Sequence, residues 1–242
     1  MELLHFGIKI KNKPSNRLSK ELYLSAKPEG MRGWEEKHYE HQKVKASLNY
    51  DLNMRFFESL DFAIFNSYIE EKVKKHKFIE CIDLKELSNT TGLYMMVLDK
   101  YKQVYIGISG DIKRRIQNHW NRKKSLERLI FGDVFTSIIP IDSFGALDTT
   151  RIFYIKNSSI YKLEEKIVKD FQGLYLLNRS AGGIGSSDTY TDSKQTALIA
   201  TLANQVKRNF IPFTTLEELK NIFTEKQLQF YYRQYPELKM LK

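Results

Sequence analysis

The most regular pattern of hydrophobic and polar positions in the chain lies between residues 91 and 108. Two runs of strand-forming residues flank a short polar loop at 99–102, and this arrangement predicts an antiparallel β-hairpin. We expect Leu98 to pair with Gln103, because this register separates the side chains by face and a slip of one residue would mix them. One face is then wholly apolar and consists of Leu93, Met95, Val97, Val104, Ile106 and Ile108.

Two tyrosines lie on the other face of the predicted hairpin, which we expect to be its polar side. In the same register Tyr94 and Tyr105 are diagonal neighbours, with Cβ atoms about 7–8 Å apart. Tyr94 lies opposite Gly107, which leaves space beside the two rings. Tyrosine is also a common strand residue for packing reasons alone. The pair by itself therefore does not distinguish a functional site from a packed face.

A basic helix is predicted over residues 112–124, with Asp111 as its N-cap. Its buried stripe consists of Ile112, Ile116 and Trp120. A contiguous row beside that stripe consists of Arg115, His119 and Arg122. An arginine that borders the core and faces the tyrosines suits a phosphate group, because its planar guanidinium binds two oxygens at once.

The same helix and the residues after it carry an excess of positive charge. Residues 113–128 include seven basic residues and one acidic residue. Most charge runs are simply solvated surface, but a polyanionic partner such as nucleic acid would also explain this one. The residues that we expect to contact that partner are Lys113, Arg114, Arg122, Lys123, Lys124 and Arg128.

A carboxylate stands on the apolar face of another predicted helix, which ends near residue 172 and is capped by Asn157 or Ser158. The apolar stripe consists of Ile160, Leu163, Ile167, Val168 and Phe171, and Glu164 falls in its middle. The adjacent Glu165 falls outside the stripe, as does Lys169. An ionised carboxylate in an apolar setting costs several kcal/mol unless it is compensated. Either an Arg or Lys partner or a hard divalent cation would compensate Glu164.

The sequence divides into three segments. Residues 1–87 contain a predicted strand at 4–10 and a predicted helix at 52–75, and we expect this extension to contact DNA. Residues 88–185 alternate between strand and helix patterns and end at a glycine-rich turn. Residues 186–242 read as a helical extension, with helical patterns across 193–241.

Composition narrows the class of protein. The formal net charge of +10 favours a polyanionic partner, and nucleic acid fits better than a membrane because no basic amphipathic membrane helix stands out. A single cysteine, Cys81, excludes an internal disulfide and a cysteine-based zinc cluster. Neither a membrane-spanning run nor a signal peptide is evident. We therefore expect a cytoplasmic protein with no membrane partner.

These features, in this order, resemble the GIY-YIG nuclease family. The first signature of the family is matched by Gly92-Leu93-Tyr94, with Leu in place of the usual Ile. The second is matched by Tyr105-Ile106-Gly107, in which Tyr105 lies eleven positions after Tyr94. Four further positions match residues of the family. They are Arg115 for its arginine, His119 for its frequent histidine, Glu164 for its metal-binding glutamate and Asn178 for its late asparagine. The resemblance covers about 88–182. Each triplet is short, so the ordered set of six positions carries the resemblance.

The resemblance implies an α/β (α+β) core with a small three-stranded antiparallel sheet flanked by helices, and the third strand is expected at 134–141. It also implies a metal-dependent phosphodiester hydrolase with one divalent ion, Mg²⁺ or alternatively Mn²⁺, held by Glu164. Tyr105 would take a proton from the attacking water, and Arg115 would neutralise charge on the phosphate. Tyr94, His119 and Asn178 would orient water or phosphate, and the products would carry 5′-phosphate and 3′-hydroxyl ends.

Several biological roles are compatible with this chemistry. The interpretation that fits best is a sequence-specific type II restriction endonuclease, which acts on double-stranded DNA as a homodimer and has a DNA methyltransferase as its genetic partner. Recognition would then lie in the flanks, because contacts to one phosphate position a protein without reading sequence. The alternatives are a homing, single-strand-specific or phage-defence nuclease, and a DNA-binding module without enzymatic activity.

Overall fold

The computed structural model describes residues 2–25, 36–121, 138–157, 160–171 and 173–178, together with the helical residues 225, 229, 232 and 233. The predicted glycine-rich turn and almost all of the predicted helical region 193–241 lie outside these residues. So do four of the predicted basic contacts, Arg122, Lys123, Lys124 and Arg128.

The described residues form a mixed α+β structure with two antiparallel sheets. Strands β1 (Glu2–His5) and β2 (Ile8–Lys11) form a small hairpin. Strands β3 (Ile79–Glu80), β4 (Gly92–Leu98), β5 (Gln103–Ser109) and β6 (Arg151–Lys156) form a four-stranded sheet in the order β3-β6-β4-β5. The helices are α1 (Lys20–Ser25), α2 (Glu36–Ser59), α3 (Phe62–His76), α4 (Ile112–Asn121) and α5 (Ile160–Asp170).

The β4–β5 hairpin has the predicted register. Leu98 pairs with Gln103 and Tyr94 pairs with Gly107. The polar loop between the strands is a short 3-10 turn, Asp99–Tyr101, and Lys102 follows it in the left-handed conformation. Alternation of side chains along the two strands is a local rule, which explains why the register could be predicted before any tertiary contact was known.

The prediction for the third strand was wrong. The strand that pairs along the second side of β4 is β6, Arg151–Lys156, in the place that we expected for the segment 134–141. Of that segment, residues 138–141 are described: Ile141 begins a 3-10 turn, and Pro140 before it lacks a backbone N–H. The sheet also has a fourth, two-residue strand, β3, which lies before residue 88 in the sequence.

Two elements of the N-terminal segment also differ from the prediction. The single strand expected at 4–10 is a hairpin, because Phe6 and Gly7 adopt φ values of 45° and 71° and reverse the chain. The single helix expected at 52–75 is broken into α2 and α3. Asp61 starts α3 as its N-cap, and its side chain accepts a hydrogen bond from the Ile64 backbone N–H at 2.9 Å.

Helices cover both faces of the four-stranded sheet. The face with Leu93, Met95 and Val104 packs against α3 and α5 through residues such as Phe65 and Ile167. The opposite face, which carries Tyr94, packs against α4 and also against residues of α2. The tyrosine face is therefore a buried core surface and not the polar side that the sequence suggested.

The open edge of β5 is covered by the segment after α5. Leu176 forms a parallel bridge with Val104, and the Leu177 backbone N–H donates to the Val104 carbonyl at 2.8 Å. The side chain of Asn178 continues this pairing on Ile106.

Among the described helices, none is long and apolar enough to cross a membrane.

Candidate functional site

Strands β4 and β5 bring the two predicted tyrosines together. The rings of Tyr94 and Tyr105 have centroids 6.2 Å apart. A Cβ atom on Gly107 would lie only 2.5 Å from the Tyr94 hydroxyl oxygen and 3.1 Å from the Tyr105 ring. The Tyr94 hydroxyl therefore occupies the space that a side chain at position 107 would need, and only glycine fits there.

Helix α4 places two side chains beside the tyrosines. Asp111 caps this helix as predicted, since its carboxylate accepts a hydrogen bond from the Arg114 backbone N–H at 3.0 Å. Nε2 of His119 lies 2.8 Å from the Tyr94 hydroxyl oxygen, and the edge of its ring contacts Tyr105 with centroids 5.1 Å apart. His119 is 3% exposed, so it belongs to the buried stripe as well as to the site.

Arg115 acts on both tyrosines. Its positive charge and its donor groups favour the ionised form of each tyrosine, so Arg115 works to lower the pKa of Tyr94 and of Tyr105. Burial on its own would lower the pKa of Arg115, but the two tyrosine oxygens and Asp142 outweigh burial and raise it. The site therefore contains a fixed positive charge.

Burial changes the acidity of both tyrosines. It raises the pKa of Tyr94 well above the ordinary value, and nearby Tyr105 adds to this while Arg115 opposes it. Burial also raises the pKa of Tyr105, again against the effect of Arg115. Tyr94 has no exposed surface whereas Tyr105 is half-buried. Of the two, Tyr105 is the tyrosine that a substrate can reach.

Glu164 and Glu165 have different surroundings. Glu164 is 9% exposed and interacts electrostatically with both Tyr94 and Tyr105, although it projects from α5 on the other side of the sheet. Glu165 is half-buried and forms an ion pair with Lys169 one helical turn away, at 2.7 Å. The structure thus places Glu164 within electrostatic reach of both tyrosines and leaves Glu165 paired with Lys169 at the surface.

Asn178 is buried at the edge of the sheet. Its amide oxygen accepts from the Ile106 backbone N–H at 2.9 Å, and its amide nitrogen donates to the Ile106 carbonyl at 2.7 Å. Both ends of the amide are thus engaged by the backbone of the residue between Tyr105 and Gly107. The contacts favour a role in holding β5 in place over the predicted role in orienting a ligand.

Asp142 is a member of the site that sequence reasoning missed. One of its carboxylate oxygens, Oδ1, is hydrogen-bonded to Nδ1 of His119, and the residue is 5% exposed. It also interacts electrostatically with Arg115 and Tyr105. Asp142 lies in a 3-10 turn with no periodic pattern, so no local signal distinguishes it from a surface turn residue.

The predicted contacts to a polyanion are described only at two positions. Lys113 is half-buried and Arg114 is exposed, and both lie in the first turns of α4 next to Arg115. The N-terminal extension, which we expect to contact DNA, also has a basic face on the β1–β2 hairpin and the residues after it. Lys9, Lys11 and Lys13 are all exposed there, and the hairpin packs against the end of α4 through His5 and Trp120, whose ring centroids are 5.5 Å apart.

The described residues contain no group of three or more His, Cys, Asp or Glu side chains arranged to hold a metal ion. Glu164 offers a single carboxylate. Mg²⁺ is commonly held by one or two carboxylates, with waters and substrate phosphate oxygens completing its six ligands. A buried carboxylate such as that of Glu164 fits that pattern.

Comparison with known proteins gave no match. No protein-family model, no curated protein and no solved structure matched the chain.

Proposed function

We propose that this chain is a metal-dependent endonuclease of the GIY-YIG type, which hydrolyses phosphodiester bonds in DNA. The observation that carries the proposal is the pairing of Tyr94 and Tyr105, with ring centroids 6.2 Å apart, in a setting where Arg115 and Glu164 act electrostatically on both rings. These residues come from β4, β5, α4 and α5. Packing alone does not require a cation, two tyrosines and a carboxylate to share one partly buried setting.

The side chains have separate tasks in this proposal. Arg115 binds two phosphate oxygens and stabilises the charge that builds up on them during attack. Tyr105, in its ionised form, takes a proton from the attacking water while the water oxygen bonds to phosphorus and the bond to the 3′ oxygen breaks. The leaving 3′ oxygen takes up a proton from solvent water and Tyr105 returns its proton to solvent, so the products are a 5′-phosphate and a 3′-hydroxyl.

Glu164 is the residue that would hold the divalent ion. Bound there, Mg²⁺ or Mn²⁺ would supply stabilisation of the negative charge on the leaving 3′ oxygen. Tyr94 has no exposed surface, is hydrogen-bonded to His119 and interacts electrostatically with Arg115. In this proposal it positions the arginine and does not itself meet the substrate.

Cleavage of supercoiled plasmid DNA by the full chain tests this function. We expect nicked and linear products in the presence of Mg²⁺ or Mn²⁺ and none with a chelator, and their ends should be joined by DNA ligase. Glu164→Gln should still bind DNA but should cut it orders of magnitude more slowly. Glu165→Gln is the matched control, because its ion pair with Lys169 is exposed, and it should cut normally. Cutting by Glu164→Gln at the normal rate would contradict the metal-holding role.

The more specific proposal is a type II restriction endonuclease that reads double-stranded DNA through its flanks. The exposed lysines of the β1–β2 region support it, because a basic two-stranded ribbon suits the groove and backbone of a duplex. A palindromic target would bring two copies of the chain together on DNA. A digest of a plasmid library, with every cut mapped, should show discrete sites. Cuts without sequence preference would leave a general nuclease and would refute the restriction role.

A further inference from the structure

Three buried polar side chains form a continuous series in the tyrosine-side core. Asp142, from the turn at Ile141–Ser143, bonds to Nδ1 of His119, and Nε2 of the same ring bonds to the Tyr94 hydroxyl at 2.8 Å. The three residues are 5%, 3% and 0% exposed, respectively. Tyr94 in turn interacts electrostatically with Arg115. The series of hydrogen bonds thus runs from a turn outside the sheet to a tyrosine on which the arginine of the proposed active site acts.

We propose that Asp142 is a positioning residue for the proposed hydrolysis: it fixes the tautomer of His119, which orients the Tyr94 hydroxyl and thereby holds Arg115. The inference rests on the proposed nuclease function for its catalytic part. Its structural part, the tautomer of His119, can be measured independently of any activity.

The donors and acceptors in the series determine each other in turn. An ionised carboxylate only accepts, so Nδ1 of His119 must carry its proton towards Asp142. A neutral imidazole has one N–H group, so Nε2 then accepts and the Tyr94 hydroxyl donates to it. The remaining lone pairs of the Tyr94 oxygen accept from Arg115, which can only donate.

The opposite tautomer would disturb this order. An unprotonated Nδ1 would face the carboxylate of Asp142, and an Nε2–H group would compete with Arg115 for the oxygen of Tyr94. Because Tyr94 has no exposed surface, water cannot replace the lost partner without rearrangement. Arg115 would then lose the acceptor that the Tyr94 oxygen offers and would be less well oriented towards a phosphate.

Asp142→Asn tests the proposal because it keeps the size of the side chain while its amide can donate to Nδ1. We expect kcat for DNA cleavage to fall roughly 10²- to 10⁴-fold, as in hydrolases whose histidine loses its orienting carboxylate or whose transition state loses a donor, with a smaller change in KM. In ¹⁵N NMR spectra the proton of His119 should move from Nδ1 to Nε2.

Asp148→Asn is the matched control. Asp148 is an equally buried carboxylate on the next turn, at 2% exposure, but it accepts from the Leu18 and Gly145 backbone N–H groups and from the Tyr101 hydroxyl. Its replacement should lower the melting temperature and should leave both the His119 tautomer and the kcat of the folded protein unchanged. A purely structural role of Asp142 would make the two variants behave alike.

A double-mutant cycle tests whether the residues act in series. If Asp142 acts through Tyr94, then Asp142→Asn should slow a Tyr94→Phe protein no further. Additive effects of the two substitutions on kcat would overturn the proposal. An Nε2–H tautomer of His119 in the wild-type protein would also overturn it, and this tautomer can be observed even if Asp142→Asn does not fold. If the wild-type chain has the expected tautomer but cuts no DNA, the nuclease function fails, and the catalytic part of this inference fails with it.

Discussion

Replacing Gly107 with alanine is the sharpest test of how closely the tyrosines pack. The Cβ atom would lie 2.5 Å from the hydroxyl oxygen and 2.7 Å from Cζ of Tyr94, whereas real Cβ contacts are essentially never shorter than 3.0 Å. The Tyr94 side chain cannot move aside freely, because it has no exposed surface and is hydrogen-bonded to His119. We expect a loss of about 1–3 kcal/mol in the free energy of unfolding, as for other overpacked cores.

Gly110→Ala is the control for this change. The nearest atom to a Cβ at Gly110 is the hydroxyl oxygen of Thr91 at 4.0 Å, so the extra methyl group makes no more than an ordinary van der Waals contact. Its free energy of unfolding should stay within about 0.5 kcal/mol of the wild-type value or rise slightly. Both free energies can be measured by denaturant titration, and plasmid cleavage should be lost in Gly107→Ala alone.

A second background shows whether the hydroxyl group is the obstacle. In a Tyr94→Phe protein the closest atom to the new Cβ no longer exists, so Gly107→Ala should cost less there than in the wild type. Equal stability of Gly107→Ala and Gly110→Ala would refute the placement of the Tyr94 hydroxyl above Gly107. It would also contradict the hydrogen bond between Tyr94 and His119, because that bond depends on the same placement of the hydroxyl group.

Three further changes test other parts of the molecule. Burial opposes the ionisation of Asp170, but hydrogen bonds from Lys72, Lys75 and His76 outweigh burial and lower the pKa of Asp170. The ionised carboxylate therefore stabilises the fold above the unfolded pKa of about 3.9, and this stabilisation disappears as the pH falls through the lower folded pKa. Asp170→Asn should therefore lower the free energy of unfolding by about 2–3 kcal/mol at pH 7, and denaturant titrations should show a smaller difference from the wild type below pH 4. Burial raises the pKa of Tyr105, and its ionised form is the reactive one, so the cleavage rate should rise with pH between 7 and 9. A flat pH profile would contradict this role. Tyr105→Phe should abolish cleavage with little change in melting temperature. Lys9→Ala should weaken DNA binding similarly for all sequences and reduce its salt dependence, measured by fluorescence anisotropy, whereas Lys43→Ala on α2 should not.

Local rules account for the parts of the fold and site that could be predicted. Alternation of side chains was sufficient to set the register that places Tyr94 opposite Gly107. An N-cap and helical spacing were sufficient to place Arg115 and His119 on one side of α4. The position of Glu164 on its helical wheel was sufficient to separate it from Glu165. In each case the information lies within about a dozen consecutive residues.

The parts that could not be predicted depend on contacts between distant residues. Residues 138–141 are as apolar as a strand, but the place beside β4 is taken by β6, which brings Tyr154 opposite Tyr94. Asp142 becomes part of the site only because the chain folds back against His119, 23 positions earlier. The break between α2 and α3 is a different case, since Asp61 before an apolar run was a readable capping signal.

The core around Tyr94 extends across the boundary that the sequence suggested at residues 87 and 88. Leu18, Phe56 and Phe57 are buried in the same cluster as Tyr94 and Ile116, and the Leu18 backbone N–H donates to the buried carboxylate of Asp148. A fragment that began at residue 88 would expose these surfaces and would lose β3 from the sheet. Sequence recognition by the N-terminal segment therefore has to be separated from catalysis by surface substitutions such as Lys9→Ala, because truncation would remove part of the core that supports Arg115.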